Sequence, residues 1–495
     1  MPHSLHYARE LAPTPLCEML GCRYPLILAG MGGVARHELV VAVTEAGGFG
    51  FLGMVREPLA LMRSEVAKVR QGTYRPFGVN LIPAGTDPQL LSQQIDLCIE
   101  LRVPVVCLFW DVVPEVVAKL RAAGILVVHQ VGSVDDALAA QQAGVDALIA
   151  QGVEAGGHVR GRQKLEELLA GVLLVARVPV AAAGGITDGR DVARLLEQGA
   201  QAAVLGTALI ATDESFAHDY HKQRLVQAQA CDTILTEDFH INWPPHAAVR
   251  VLENSVTHRE HGSPCDGERI VIGEEEGRPI YLFSTDSPLR SMTGDYEAMA
   301  LYAGMGVGGI TAVEPAAQRM ARIVAEAVQA RRMTAPPQEL SSPVCYAGEF
   351  EREANQAVIA RLDELLEAER AGARVTMETA RQVPDAPLRE LIDAVHRDEV
   401  KWCVMLGHAI RELDATPGSL TGAFYEKAMA IADIRERLAF LNRGQGWVAR
   451  KLRELLPMVN NPAIERNLTE MLVAHEVNID KVNAWRENGD PAASR

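Results

Sequence analysis

The feature that most constrains this chain is an alternation that runs eight times through its first two hundred residues. Short apolar or β-branched runs recur as PLILAG from Pro25, GFGFLG from Gly48, FGVNL from Phe77, VPVVCLF from Val103, ILVVHQ from Ile125, DALIAQ from Asp146, VPVAAA from Val178 and AAVLGT from Ala202. Runs of this length between glycine and proline signals read as strands. Segments such as ELVVAVTEAG, DDALAAQQAG and GRDVARLLEQG lie between them, with apolar residues three and four apart and glycine at the end, the pattern of amphipathic helices. Strand and helix in eightfold alternation predict an α/β fold, a (β/α)8 TIM barrel. The alternative is an open doubly wound sheet, but no GxGxxG follows the first strand, where such a sheet carries its dinucleotide fingerprint.

A barrel does not use up 495 residues, so two to three domains are expected. The formal net charge of −16 disfavours a nucleic acid or an anionic membrane surface as partner. It does not exclude an anionic cofactor, because phosphate is held by local backbone N–H groups. Cysteines at 17, 22, 98, 107, 231, 265, 345 and 403 form no CxxC pair, and the first twenty residues lack a basic segment followed by an apolar one. A cytoplasmic protein is expected. The longest apolar run, Leu169 to Ala183, is interrupted by Arg177 and Pro179, so no membrane span is expected.

In a TIM barrel the loops after the strands form the active-site face, with phosphate held after the seventh and eighth. Gly184-Gly185 follows the seventh run and Gly206-Thr207 the eighth, and both are candidate phosphate loops. The stretch QGVEAGGHVRG, Gln151 to Gly161, follows the sixth. His158 is therefore expected on the same face, where a histidine works as acid, base or hydrogen-bond donor to an anion; the plainer reading is loop packing. Glu154 is expected to orient that loop.

Taken together, LILAGMGGVA, AGGFGFLG, FGVNL, QGVEAGGH, the run from Ala182 to Ser215 and YAGMGVGGI at Tyr302 to Ile310 resemble the nitronate monooxygenase family, from about Cys17 to Arg331. The resemblance implies a TIM barrel holding FMN, with a small α/β domain inserted after the eighth strand. The implied boundaries are residues 1–214 for the barrel, 215–291 for the insertion and 292–331 for the return to the barrel. It places Ala29, Gly30 and Met31 against the flavin ring, Asn80 at its polar edge, and Gln130 and Gln151 in contact with it. Gly156 and Gly157 lie beside it, Gly184, Gly185, Gly206 and Thr207 hold the phosphate, and Tyr302, Ala303, Gly304 and Met305 close the site. His158 matches the family's active-site histidine.

The implied reaction oxidises a nitronate with O2 to a carbonyl compound and nitrite. The rival within the fold is an NAD(P)H-dependent flavin reductase of the enoyl-thioester or quinone type. The chain departs from the family pattern at Gly30, where proline is usual, at Met305, where glutamine is usual, and in the longer Val159-Arg160-Gly161 after the histidine. Arg160 is either a selector of anionic substrates or a solvated loop residue.

Residues 332–346 are rich in proline and serine and read as a linker. Residues 347–495 then carry four helical segments, at about Glu349 to Gln382, Pro387 to Leu413, Thr421 to Leu456 and Pro462 to Trp485, which predict a four-helix bundle. Each apolar stripe points one polar residue inward: Glu369, Glu399, Gln445 and His475. The segment resembles the ferritin-like family, which makes Glu369, Glu399 and His475 candidate ligands for a single metal ion. Trp402, Gln445 and Asn478 stand where further ligands are usual. The other reading is a metal-free bundle, with Arg397, Arg437 and Arg443 neutralising the carboxylates. Association of copies through this bundle is expected, and a third functional class makes the bundle a metal-binding module attached to a flavin sensor.

Overall fold

The computed structural model describes residues 11, 13–262, 269–334, 348–413, 415–418, 420–421 and 423–487. The segment read as a linker falls almost wholly outside them. The chain folds as two compact units, residues 1–336 and 337–495.

In the first unit all eight apolar runs are strands: β1 (Leu26–Leu28), β2 (Phe49–Gly53), β3 (Gly78–Leu81), β4 (Val105–Phe109), β5 (Leu126–Val131), β6 (Ala147–Gln151), β8 (Val180–Ala183) and β9 (Ala202–Leu205). They pair in parallel and close into a barrel through β9 and β1, with Ile27 opposite Val204. Alternation along each strand divides the core in two. Ile27, Phe51, Cys107, Ile149 and Val204 fill the barrel interior. Leu28, Leu52, Leu108, Leu148 and Leu205 face outward and pack under the helices.

The helices of the outer ring are α1 (His37–Glu45), α2 (Leu59–Gly72), α3 (Pro88–Glu100), α4 (Pro114–Ala122), α5 (Val134–Ala143), α6 (Leu165–Val175), α7 (Gly189–Glu197) and α8 (Ala316–Thr334). Helix α8 comes from the returning segment and lies so close to α7 that a Cβ on Gly189 would stand 2.2 Å from Ala327 N and Ile323 O. A short helix, Pro15–Leu20, supplies Leu16 and Leu20 to the interior cluster.

The inserted region holds two small antiparallel sheets. Strand β11 (Val249–Leu252) lies between β10 (Thr233–Thr236) and β7 (Gly157–His158), and β12 (Val271–Glu275) lies between β13 (Arg278–Tyr281) and β14 (Met292–Gly294). Two of these six strands come from outside residues 215–291: β7 from the loop after β6 and β14 from the return. The insertion is thus stitched to the barrel by main-chain pairing, and that pairing fixes His158.

The second unit contains α9 (Gly348–Gln382), α10 (Ala386–Glu412), α11 (Ile434–Leu455) and α12 (Pro462–Glu487). The third helical segment is split, unlike the expectation of one helix from Thr421. A short helix, Phe424–Met429, precedes α11, and Asp433 starts α11 by accepting from Glu436 N at 2.9 Å. An aspartate placed to cap a helix start competes with continuation of the helix through it. Among the described residues no helix is long and apolar enough to cross a membrane.

Candidate active site

A cavity of about 970 Å³ opens at the ends of the barrel strands. Its wall starts at the β1 loop, where Ala29, Gly30 and Met31 all line it. A Cβ at position 30 would stand 2.2 Å from Asn80 Cβ, so only glycine lets this loop cross β3. Asn80 itself donates from Nδ2 to Cys107 O at 3.3 Å, while its buried Oδ1 has no partner. Gln130, at the end of β5, also faces the cavity.

Gln151 lines the cavity too, but both ends of its amide are engaged by the chain. Nε2 donates to His158 O at 2.9 Å and Oε1 accepts from Arg160 N at 3.4 Å. It holds the histidine loop in place. Glu154 does the same from below, accepting from Leu165 N at 3.0 Å.

Gly184 and Gly185 have φ of 128° and 67°, a region open to glycine at little cost. Gly206 precedes the short helix Thr207–Ile210, which has no side-chain cap. These four residues line the same cavity. The returning segment then closes one side. Gly304 N donates to Thr207 Oγ1 at 2.9 Å, and a Cβ on Gly156 would stand 2.6 Å from Gly304 N. Gly157, Tyr302 and Gly304 are on the wall as well, whereas Ala303 and Met305 are not. Met305 starts a 3-10 turn, and its side chain points outward, 41% exposed.

His158 sits in β7 opposite Val249. Its ring stacks on the Trp243 indole with centroids 3.5 Å apart, and Trp110 and Tyr302 stand at 6.3 and 5.9 Å. Its Nε2 is buried without a hydrogen-bond partner. Burial, and then the positive charge of Arg56, hold the imidazole well below its usual pKa, so it is neutral at physiological pH. Burial likewise raises the Tyr302 phenol, which donates to Thr285 O at 2.6 Å and stays protonated. His221, another buried residue of the wall, is pushed down to about 4 by burial.

Several of these groups have no counterpart in the sequence motifs. Trp243 lies in the insertion and fits because residue 85 is glycine, where a Cβ would come 2.6 Å from the indole. Arg56 and Trp110, just beyond β2 and β4, have φ of 58° and 81°. Strained non-glycine backbone of this kind costs about 1–3 kcal/mol each and clusters at functional sites. Arg160, in contrast, is not on the cavity wall: it lies 5.2 Å over Trp110 and 3.7 and 3.8 Å from Asp111 and Asp136.

The family model for nitronate monooxygenase matches residues 13–326. The chain belongs to the nitronate monooxygenase family. Membership makes it a flavin-dependent oxidoreductase. It is 31% identical to a protein of Staphylococcus aureus (strain Newman) named "Probable nitronate monooxygenase", over 45% of this chain and 75% of that one. It is 35% identical to a 5-hydroxy-7a-methyl-1-oxo-octahydro-1H-indene-4-carboxyl-CoA dehydrogenase of Rhodococcus jostii (strain RHA1), over 50% and 68%. Among solved structures, FabK from Thermotoga maritima aligns with a TM-score of 0.54 at 27% identity, covering 65% of this chain and 97% of that one. A nitroalkane oxidase from Streptomyces ansochromogenes aligns with a TM-score of 0.52 at 33% identity, covering 64% and 99%. Residues 356–484 match a domain of unknown function (DUF6306).

In the second unit Glu369, Glu399, Gln445 and His475 are all buried, as their stripes predict. Gln445 Nε2 donates to Glu399 Oε1 at 2.9 Å, and His475 Nε2 lies 3.2 Å from Glu369 Oε1, in ion-pair contact without hydrogen-bond alignment. Burial, and then the Glu369 charge, push Glu399 well above the carboxylate range. A proton kept on Glu399 can be donated to Glu369. Arg437 is turned away from both, donating to Ile431 O at 2.9 Å and Gln382 Oε1 at 2.8 Å.

Glu369, Glu399 and His475, read as metal ligands, line one cavity of about 610 Å³ with Gln445, but their ligand atoms do not all lie within 4.8 Å of one another. Among the described residues only His37, Glu38 and Glu65 offer three ligand atoms within 4.8 Å of one another. That group is a hydrogen-bonded helix start: Glu65 accepts from His37 N and Nδ1 at 2.8 Å and from Lys68 Nζ at 3.1 Å. A lysine ammonium on one carboxylate oxygen repels a cation there.

Proposed function

We propose that the chain binds FMN in the cavity and oxidises nitronates with O2 to carbonyl compounds and nitrite. The observation that carries this reading is His158, a neutral histidine with a buried, unpartnered Nε2 at a cavity wall built from glycine loops. A neutral imidazole donates a hydrogen bond to an anion but is a weak base toward a neutral nitroalkane.

The wall fits a flavin mononucleotide. Gly30 leaves the β1 loop flat, the orphaned Asn80 Oδ1 can accept from a ring N–H, and Gly184, Gly185, Gly206 and Thr207 suit a phosphate. FMN supplies the electron-accepting chemistry when bound. The residues of this chain orient the anion through His158, exclude water with Trp243 and Tyr302, and keep the Tyr302 phenol protonated. Similarity to the Staphylococcus protein and to the Streptomyces nitroalkane oxidase supports the substrate class.

A second reading, NAD(P)H-dependent reduction of a larger thioester or quinone, is favoured by the similarity to FabK and by the outer part of the cavity, which reaches Arg36, Lys68 and Arg278. The two separate in one experiment. FMN-loaded protein is mixed anaerobically with ethyl nitronate in one run and with NADPH in another. Rapid loss of the oxidised flavin spectrum with the nitronate alone, and nitrite release once O2 is admitted, are the expected results. Bleaching by NADPH alone would overturn the first reading in favour of the second. Residues 356–484 are proposed as a ferritin-like helical module with a polar cavity lined by Glu369, Glu399, Gln445 and His475.

A further inference from the structure

We infer that Arg56 is the residue that binds the anionic group of the substrate and sets a preference for anions over neutral nitroalkanes; this rests on the nitronate reading above. Charge is balanced unevenly along the cavity wall. Arg36 is paired with Glu57 at 3.0 Å, Lys68 with Glu65 at 3.1 Å, and Arg278 with Glu275 at 2.8 Å and Asp286 at 3.1 Å. Arg56, also on the wall, makes no ion pair among the described residues. Its guanidinium donates only to Asn242 O at 3.0 Å and to Thr285 Oγ1 at 3.2 Å. Two of five N–H groups are thereby used, and the full charge is left unneutralised. Glu57, the adjacent carboxylate, already belongs to Arg36.

The same two hydrogen bonds aim the side chain. Asn242 immediately precedes Trp243, whose indole stacks on His158, and Thr285 O accepts from the Tyr302 phenol. Arg56 therefore joins the two segments that carry the aromatic wall, and its field reaches both His158 and Tyr302. The left-handed backbone, φ 58°, turns the chain sharply just beyond β2. An uncharged histidine and an uncharged phenol leave Arg56 as the cation that an anion meets there, and a guanidinium fork matches the two oxygens of a planar nitronate.

The probe is inorganic nitrate, a planar anion with the O–N–O geometry of a nitronate and no reducing power. FMN-loaded wild type, Arg56→Met and Arg56→Lys are titrated with nitrate and, as a neutral comparator, with nitroethane below its pKa, following the visible flavin spectrum. Arg56→Met is expected to weaken nitrate about 10- to 100-fold, the range of a charge-assisted hydrogen bond, with nitroethane unchanged and Arg56→Lys in between. Equal nitrate affinity in wild type and Arg56→Met, or parallel losses for nitrate and nitroethane, would overturn the assignment, as would a wild type that takes no nitrate. Should Arg56→Met lose its flavin, Arg56→Gln keeps donors for Asn242 and Thr285 without the charge and is expected to show the same selective loss. Nitrate binding that depends on Arg56 in a protein that does not turn over ethyl nitronate would sink the reaction and leave the anion site. Turnover with nitrate binding indifferent to Arg56 would do the reverse.

Discussion

Two regions of this molecule bury polar side chains around cavities, and they differ in charge and in how far those groups touch one another. At the barrel mouth Asn80 Oδ1, His158 Nε2 and Trp243 Nε1 are buried without partners, and Arg56 carries an unneutralised charge. In the helical unit Gln445 donates to Glu399, His475 contacts Glu369, and Glu399 keeps a proton that Glu369 can accept, while both Glu369 oxygens, Gln445 Oε1 and both His475 nitrogens are buried without an aligned hydrogen bond. An unpaired buried donor or acceptor costs about 1–3 kcal/mol. The first region bears that cost around a cavity, which suits a site completed by a ligand. The second bears it too, but its groups are acidic and touch one another around a cavity of about 610 Å³, where Gln445 to Glu399 is the one aligned side-chain hydrogen bond among the four. Burial of polar residues is therefore a poor guide to function until their partners are known.

The largest effect expected from this contrast is in the helical unit. Glu369→Leu removes the acceptor on which the other groups converge and leaves His475 and Glu399 buried without it. Loss of one partner from a buried charged pair costs about 3–5 kcal/mol. The urea midpoint at which buried Cys403 becomes labelled, read by peptide mass spectrometry, should fall sharply. An unchanged midpoint would mean that the contacts within the acidic cluster do not hold the helical unit together.

His158→Ala is expected to do the opposite. Its Nε2 has no partner to lose, so the fold gives up little beyond the stack on Trp243, about 0.5–1.5 kcal/mol. Turnover of ethyl nitronate should fall about 10²- to 10³-fold, as when a donor to a developing or bound anion is removed. Retained flavin with impaired kcat fits this; a protein that no longer binds FMN would make His158 a structural residue and bring the two regions together.

A third test uses pH. A carboxyl in the unfolded chain titrates near about 4.3, and folded Glu399 titrates well above that. Between the two values the native state holds a proton that the unfolded chain has lost. Stability of the helical unit therefore falls as pH rises through that window. The Cys403 labelling midpoint should be higher at pH 5 than at pH 8, and Glu399→Gln should flatten the difference. A midpoint that rises with pH would contradict the shared proton.

What could be read in the sequence follows the range of the forces involved. All eight barrel strands and three of the four long helices lie where local periodicity and glycine or proline punctuation put them. The inward positions of Glu369, Glu399, Gln445 and His475 come from the same periodicity. Strand β7 was out of reach: two residues have no period, and its existence depends on pairing with β11 some ninety positions later. Trp243 and Arg56 are likewise placed by tertiary contact, although an arginine in the loop after a barrel strand, on the active-site face, is a signal present in the sequence. Arg160 drew attention because it is next to the histidine motif, yet its charge is taken up by Asp111 and Asp136.

Met305 separates motif from geometry most cleanly, and it carries the smallest expected effect. Family resemblance puts this position at the closing edge of the flavin site. The backbone serves that purpose: Met305 N donates to Glu154 O at 2.9 Å and pins the return segment on the histidine loop. The side chain points away from the wall. Any residue that leaves the N–H in place should do, so Met305→Ala should change stability by no more than about 0.5 kcal/mol and leave nitronate turnover near wild type. Met305→Pro removes that donor and should loosen the loop, lowering FMN affinity and kcat together. Should the alanine variant lose activity as severely as the proline one, the thioether reaches the flavin in the working enzyme, and the division between backbone and side chain at this edge is wrong.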